Sequence, residues 1–161
     1  MTQTTGPQEP VHPLWKIKPP LIGFALIGIG IGINFAATAR IFPEGWIQFA
    51  VGVPVIIAGL AFGLVANMTF RKMATDFSFS KPPSLIVQHG LFKISRNPMY
   101  VAMVVIVLGA MLVVNSAWSL LMVPVAFLYL QYGVIHREEQ YLELWFGDEY
   151  RNYKTKVRRW V

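Results

Sequence analysis

Four apolar runs constrain this chain more than any other feature. Residues 20–39 (PLIGFALIGIGIGINFAATA), 46–68 (WIQFAVGVPVIIAGLAFGLVANM), 98–114 (PMYVAMVVIVLGAMLVV) and 117–135 (AWSLLMVPVAFLYLQYGVI) carry no charged side chain. A helix that crosses a bilayer needs about 20 mostly apolar residues. Three runs meet that length and the third, 98–114, is on the short side. Inside hydrocarbon the backbone must satisfy its own hydrogen bonds, so these runs are expected to be helices rather than isolated strands. Composition agrees: 55% of the residues are hydrophobic and 14% charged, against about 25% charged in an average soluble domain. The expected fold class is therefore all-α integral membrane, with about four transmembrane helices. Only Asn115 and Ser116 separate the third and fourth runs, which predicts a short helical hairpin there.

The polar residues divide the chain into three parts. Residues 1–13 (MTQTTGPQEPVHP) read as a disordered tail. Residues 14–68 hold the first two spans, and 69–161 hold a cytoplasmic loop, spans three and four and a last amphipathic segment. The first run is too long, and lies too far from the start, to read as a cleaved signal peptide. Of the 14 Lys and Arg residues, thirteen flank the spans on one side and only Arg40 lies on the other. With four spans, that bias puts both termini in the cytoplasm, as in a bacterial or archaeal inner membrane.

Other function classes are excluded on composition. There is no cysteine, hence no disulfide, thiolate nucleophile or cysteine metal site, and no metal is expected. The net charge of +6 reads as cytoplasmic loops rather than as a nucleic-acid surface. The GIGIG stretch at residues 28–32 follows no strand, so it is not a dinucleotide fingerprint. Gly28-x-x-x-Gly32 and Gly59-x-x-x-Gly63 instead match the small-residue pattern of packed membrane helices.

Chemistry-bearing residues gather on the polar side, in two places. Between spans two and three, prolines break helix, Leu85-Ile86-Val87 reads as a short extended run, and Gly90 permits a turn. Arg96 and Asn97 then stand just before Pro98, a residue suited to the first turn of a helix. Such a turn has unpaired N–H groups and a field that favours an anion. After span four comes HREEQYLELWFGDEYRNYKTKVRRWV, in which Leu142, Trp145 and Phe146 recur at helical spacing. Trp160, Tyr150 and Tyr153 among Lys and Arg suit a segment lying at the membrane surface. Glu138 and Glu139 follow span four. If the helix ends there, its dipole disfavours carboxylates and calls for a compensating cation, either Arg96 or a ligand. If helix continues through 136–146, the end effect is relieved and a solvated face explains them.

Two spaced patterns then carry a resemblance. The first is Gly90, Phe92, Arg96, Asn97, Pro98, Met99 and Tyr100; the second is Glu138, Glu139, Leu142, Phe146, Gly147, Tyr150 and Tyr153. Around one short hairpin they resemble the isoprenylcysteine carboxyl methyltransferases and the related phospholipid N-methyltransferases, over roughly residues 67–161. The resemblance implies an integral-membrane methyltransferase that uses S-adenosylmethionine without a soluble Rossmann domain. It implies cofactor contacts from Leu85, Ile86, Val87, Gly90, Phe92, Asn97, Pro98, Met99, Tyr100, Glu138 and Glu139. Arg96, Asn97, Tyr100 and Glu138 are implied as the catalytic set. The implied partners are membrane lipids and a lipophilic or lipid-attached acceptor.

Two departures leave the acceptor open among carboxylate, amine and thiol. Asn97 stands where prenylcysteine enzymes usually carry histidine, and Val134 stands where they carry an arginine that binds substrate. The alternatives are an NADPH-dependent membrane sterol-reductase-like enzyme and a non-enzymatic membrane protein. The first would call for more clustered arginines than Arg96 and Arg137. The second would be marked by ionisable residues within the spans, and the four runs have none.

Overall fold

The computed structural model describes residues 19–37, 39–43, 45–73 and 85–161. The expected tail at 1–13 and the proline break at residues 82–83 lie outside them. Among the described residues the secondary structure is helical. Helix α1 is Pro19–Ala36, α2 is Ile47–Met73 and α3 is Pro98–Val114. A 3-10 turn, Ser119–Leu121, leads into α4, Met122–Leu128; a π-helical stretch, Tyr129–Ile135, joins it to α5, His136–Phe146. Helix α6, Asp148–Lys156, follows after Gly147.

Three helical stretches are long and apolar enough to cross a membrane: Pro19–Ala36, Ile47–Met73 and the continuous Ser119–Phe146. Helix α3 has 17 residues, roughly 25 Å at 1.5 Å per residue, and falls short of the bilayer core. It is nevertheless the centre of the bundle. Along one side it packs on α2, and on the other it meets α1 and α4. Leu26, Val107, Met111 and Ala126 close the core between α1, α3 and α4.

Glycine lets α2 and α3 touch backbone to backbone. A Cβ on Gly109 would stand 2.8 Å from the Ile56 nitrogen and 2.9 Å from the Gly52 carbonyl oxygen. A Cβ on Gly52 would stand 2.8 Å from the Gly109 oxygen in return. Gly59 and Gly63 continue this seam against Ile106 and Ala102, as the small-residue pattern predicts. Gly28 and Gly32 do not: a Cβ on either meets nothing within 4 Å. On α1 it is Gly23 and Gly30 that face the core, against Met103 and Met111. Spacing alone cannot tell which face of an all-apolar helix turns inward, because lipid and core accept the same side chains.

The hairpin between α3 and α4 is built on Asn115. Its left-handed backbone (φ 58°) stops α3 in the manner of a C-terminal cap. Its side-chain oxygen accepts from the N–H groups of Ile41 (3.1 Å) and Phe42 (2.8 Å). Its amide donates to the Phe42 carbonyl (3.1 Å) and to Gln48 Oε1 (2.9 Å). One side chain thus organises both loops at that end of the bundle. Ser119 adds a hydroxyl bond of 2.6 Å to the Gly30 carbonyl, which ties the fourth run to α1.

Candidate functional site

The opposite end of the bundle brings the two sequence patterns together. Pro98 opens α3 and is buried, while the Asn97 carbonyl accepts from the Tyr100 and Val101 N–H groups. Tyr100 then points at α5 and donates its hydroxyl to Glu138 Oε1 at 2.7 Å. Glu138 and Glu139 are neighbours on a helix, so their side chains diverge by about 100°. Glu138 faces α3. Glu139, 5% exposed, faces two arginines.

Arg96 Nη1 lies 3.0 Å from Glu139 Oε1, both side chains being almost fully buried. Arg159 grips the same carboxylate with two bonds, Nε to Oε1 at 3.0 Å and Nη2 to Oε2 at 2.5 Å. Those bonds hold the Arg159 guanidinium above its ordinary pKa. Arg96 remains under-satisfied. Its Nη1 sits close to Glu139 without hydrogen-bond alignment, and among the described residues neither Nη1 nor Nε has a hydrogen-bond acceptor. Among the described residues no Lys or Arg forms an ion pair with Glu138.

The local charge count follows. Two arginines against Glu139 leave one positive charge, with buried N–H groups still open on Arg96. Glu138 has the Tyr100 hydroxyl as its hydrogen-bond partner and no cation paired with it among the described residues. Arg96 therefore partners Glu139 rather than Glu138, although either pairing fitted the spacing.

The rest of the implied site is distributed as follows. Val87 and Phe92 are buried; Leu85 and Met99 are exposed. Ile86 is half-buried beside Val87. Gly90 takes a positive φ (57°) to open the 3-10 turn Gly90–Lys93, and it sits against Thr69 near the end of α2. Phe92 rests on Phe70, with ring centroids 6.1 Å apart. Val134, at the place of the missing arginine, is fully buried and packs with Leu130 and Ile135 near Tyr100.

Several residues hold this arrangement in ways that the sequence reading did not anticipate. Tyr150 and Tyr153, expected at the membrane surface, are 3% and 5% exposed. Tyr153 donates to the Phe92 carbonyl at 2.6 Å, and burial pushes its pKa up to about 12, so it stays a donor. Burial, with Glu139 nearby, likewise raises Tyr150. Their i, i+3 spacing was the available sign that they share one inward face. Ser95, fully buried, and Arg158 form a parallel bridge, and Asn97 donates its amide to the Arg159 carbonyl at 3.0 Å. Glu143 accepts from Arg151 (3.1 Å) and Lys154 (2.7 Å) and so ties α5 to α6.

The sequence model of the phospholipid methyltransferase family matches residues 47–149, a stretch that includes α2, α3 and both carboxylates of the site. The chain belongs to that family. It is therefore an integral-membrane protein of a methyltransferase family. It is 30% identical over 146 residues to methanethiol S-methyltransferase 1 of Bradyrhizobium diazoefficiens, covering 89% of this chain. The alignment takes in 44% of that protein, so the chain spans less than half of this relative's length. An uncharacterized protein of Haemophilus influenzae is 44% identical over 63 residues, 39% of this chain and all of that protein. No solved structure gives a significant match.

Proposed function

We propose that the protein transfers a methyl group from S-adenosylmethionine to a lipophilic or lipid-attached acceptor at the cytoplasmic membrane face. One observation carries this reading: of the two adjacent glutamates, Glu139 is held by two arginines, whereas Glu138 meets a neutral hydroxyl and no paired cation among the described residues. A methionyl group bears an ammonium and a carboxylate. Glu138, with no cationic partner among the described residues, suits the ammonium or the ribose. The open N–H groups of Arg96, in a cluster with one surplus positive charge, suit the carboxylate. Val87 and Phe92 offer apolar contact for the adenine.

When bound, the cofactor would supply an electrophilic methyl on a sulfonium; the acceptor's lone pair would attack that carbon in line, and the sulfur would leave as a neutral thioether with the C–S electron pair. Such a step needs positioning more than proton transfer. Tyr100 fixes the rotamer of Glu138 and Glu139 fixes Arg96, so both charged ends are oriented before binding. The family description and the relative's name favour an amine or a thiol as the acceptor atom. With the short α3 counted as a fourth span, the thirteen of 14 basic residues on one side support the cytoplasmic assignment.

Calorimetry on detergent-purified protein tests the reading. S-adenosylmethionine should bind and NADPH should not, and labelled methyl should appear on a long-chain amine or thiol. Binding of NADPH alone would exclude the methyltransferase reading.

A further inference from the structure

The hairpin at Asn115 joins α3 to the α4–α5 stretch at one end only. The site lies at the other end, a full helix length away, where nothing in the chain connection holds α3 and α5 together. Five residues span that gap. In the segment Val157–Val161, the Arg158 carbonyl accepts from the Arg96 N–H at 2.9 Å, and the Arg159 carbonyl accepts from the Asn97 amide at 3.0 Å. These bonds face the start of α3. The Arg159 guanidinium turns the other way and holds Glu139 on α5. Trp160 donates to Gln131 Oε1 at 2.7 Å and stacks on Phe127 with centroids 4.6 Å apart. It also packs on the Leu130, Val134 and Ile135 cluster against which Tyr100 sits.

We propose that this segment is a positioning element of the site, with Arg159 and Trp160 as its anchors, and that it sets the α3–α5 spacing on which Glu138 and Arg96 bind the cofactor. The claim about the cofactor rests on the methyltransferase reading; the claim about spacing does not. Neither anchor touches the reacting atoms. Each acts through residues that do, Arg159 through Glu139 and Asn97, and Trp160 through the helix that carries Glu138. The two bonds from Arg159 to Glu139 fix its angle as well as its distance, which lysine cannot do.

The test uses the absence of native cysteine. Spin labels at Lys93→Cys and Arg137→Cys, both exposed positions, report the spacing between the start of α3 and α5 in the full chain. In the Arg159→Ala background the distance distribution should broaden, and the Kd for S-adenosylmethionine should rise tenfold or more. Arg159→Lys, which keeps the positive charge and loses the two-bond grip on Glu139, should also broaden the distribution and raise Kd, by less than Arg159→Ala. Trp160→Phe, which keeps the stack and loses the N–H, should raise Kd about threefold and guards against a misfolded alanine variant. A structural role alone would lower the folded fraction and leave Kd unchanged. An unchanged distance distribution or an unchanged Kd in both variants overturns the proposal. If the starting protein binds no S-adenosylmethionine, the methyltransferase reading fails, and the distance measurement alone decides whether the segment sets the spacing.

Discussion

Glu138 and Glu139 show how one step along a helix separates binding from scaffolding. Glu138→Gln removes the charge that would meet the cofactor's cationic end, and should weaken S-adenosylmethionine binding at least tenfold, about 1.4 kcal/mol. The fold should survive, because Tyr100 can still donate to the amide oxygen. Glu139→Gln leaves Arg96 buried without its counter-charge. Breaking a buried pair by removing one partner costs about 3–5 kcal/mol, so the melting temperature in detergent should fall by several degrees. Glu143→Gln loosens exposed pairs between α5 and α6 and should leave cofactor affinity unchanged. Equal loss of affinity at 138 and 143 would mean that the whole charged face, not one carboxylate, governs binding.

At the scale of elements, the α2–α3 seam and the Asn115 turn are the points with least tolerance. Gly109→Ala would drive a methyl into the Ile56 nitrogen and the Gly52 carbonyl of α2. Overpacking of this kind costs about 1–3 kcal/mol, and here the obstacle is backbone, which cannot rotate away. Gly28→Ala meets open space and should be neutral or slightly stabilising in the same thermal assay. Asn115→Ala strips two N–H groups, at Ile41 and Phe42, of their acceptor, at about 1–3 kcal/mol for each group left buried. It also places alanine at a left-handed φ. Asn115→Gly, which relieves the backbone and restores none of the bonds, should recover only part of that loss.

For the whole molecule, the hairpin and the clasp at residues 157–161 put every charged site residue at one end of the bundle. Reporters fused after Val161 or at Lys81 should both lie in the cytoplasm, whereas one within residues 42–45 should not; opposite faces for the first two would break the four-span arrangement. The proposed function puts the site at the membrane surface, and such a site would suit an acceptor arriving sideways from lipid. Long-chain acceptors should therefore outperform matched short-chain ones in liposomes, while the cofactor enters from water. Full activity on an acceptor with no apolar tail, and no gain on adding one, would rule that route out.

What could be read without a structure is tied to local physics. Runs of 17 or more uncharged residues must be helices in a bilayer, Pro98 and Asn115–Ser116 mark where the third helix begins and turns, and two spaced patterns name the family. Their proximity also follows, since a hairpin returns residue 138 to the level of residue 100. Which side chain meets which was decided only in three dimensions. Apolar periodicity is mute in lipid, so Gly52 and Gly109 were not distinguished from Gly28 and Gly32. The π-helical stretch Tyr129–Ile135 departs from the 3.6-residue period, and with it shifts the direction in which the next turn presents Glu138 and Glu139. Arg159 and Trp160 sit some 60 residues from Asn97 in sequence and have no pattern of their own. Their role exists only because the chain folds back across the open end of α3 and α5.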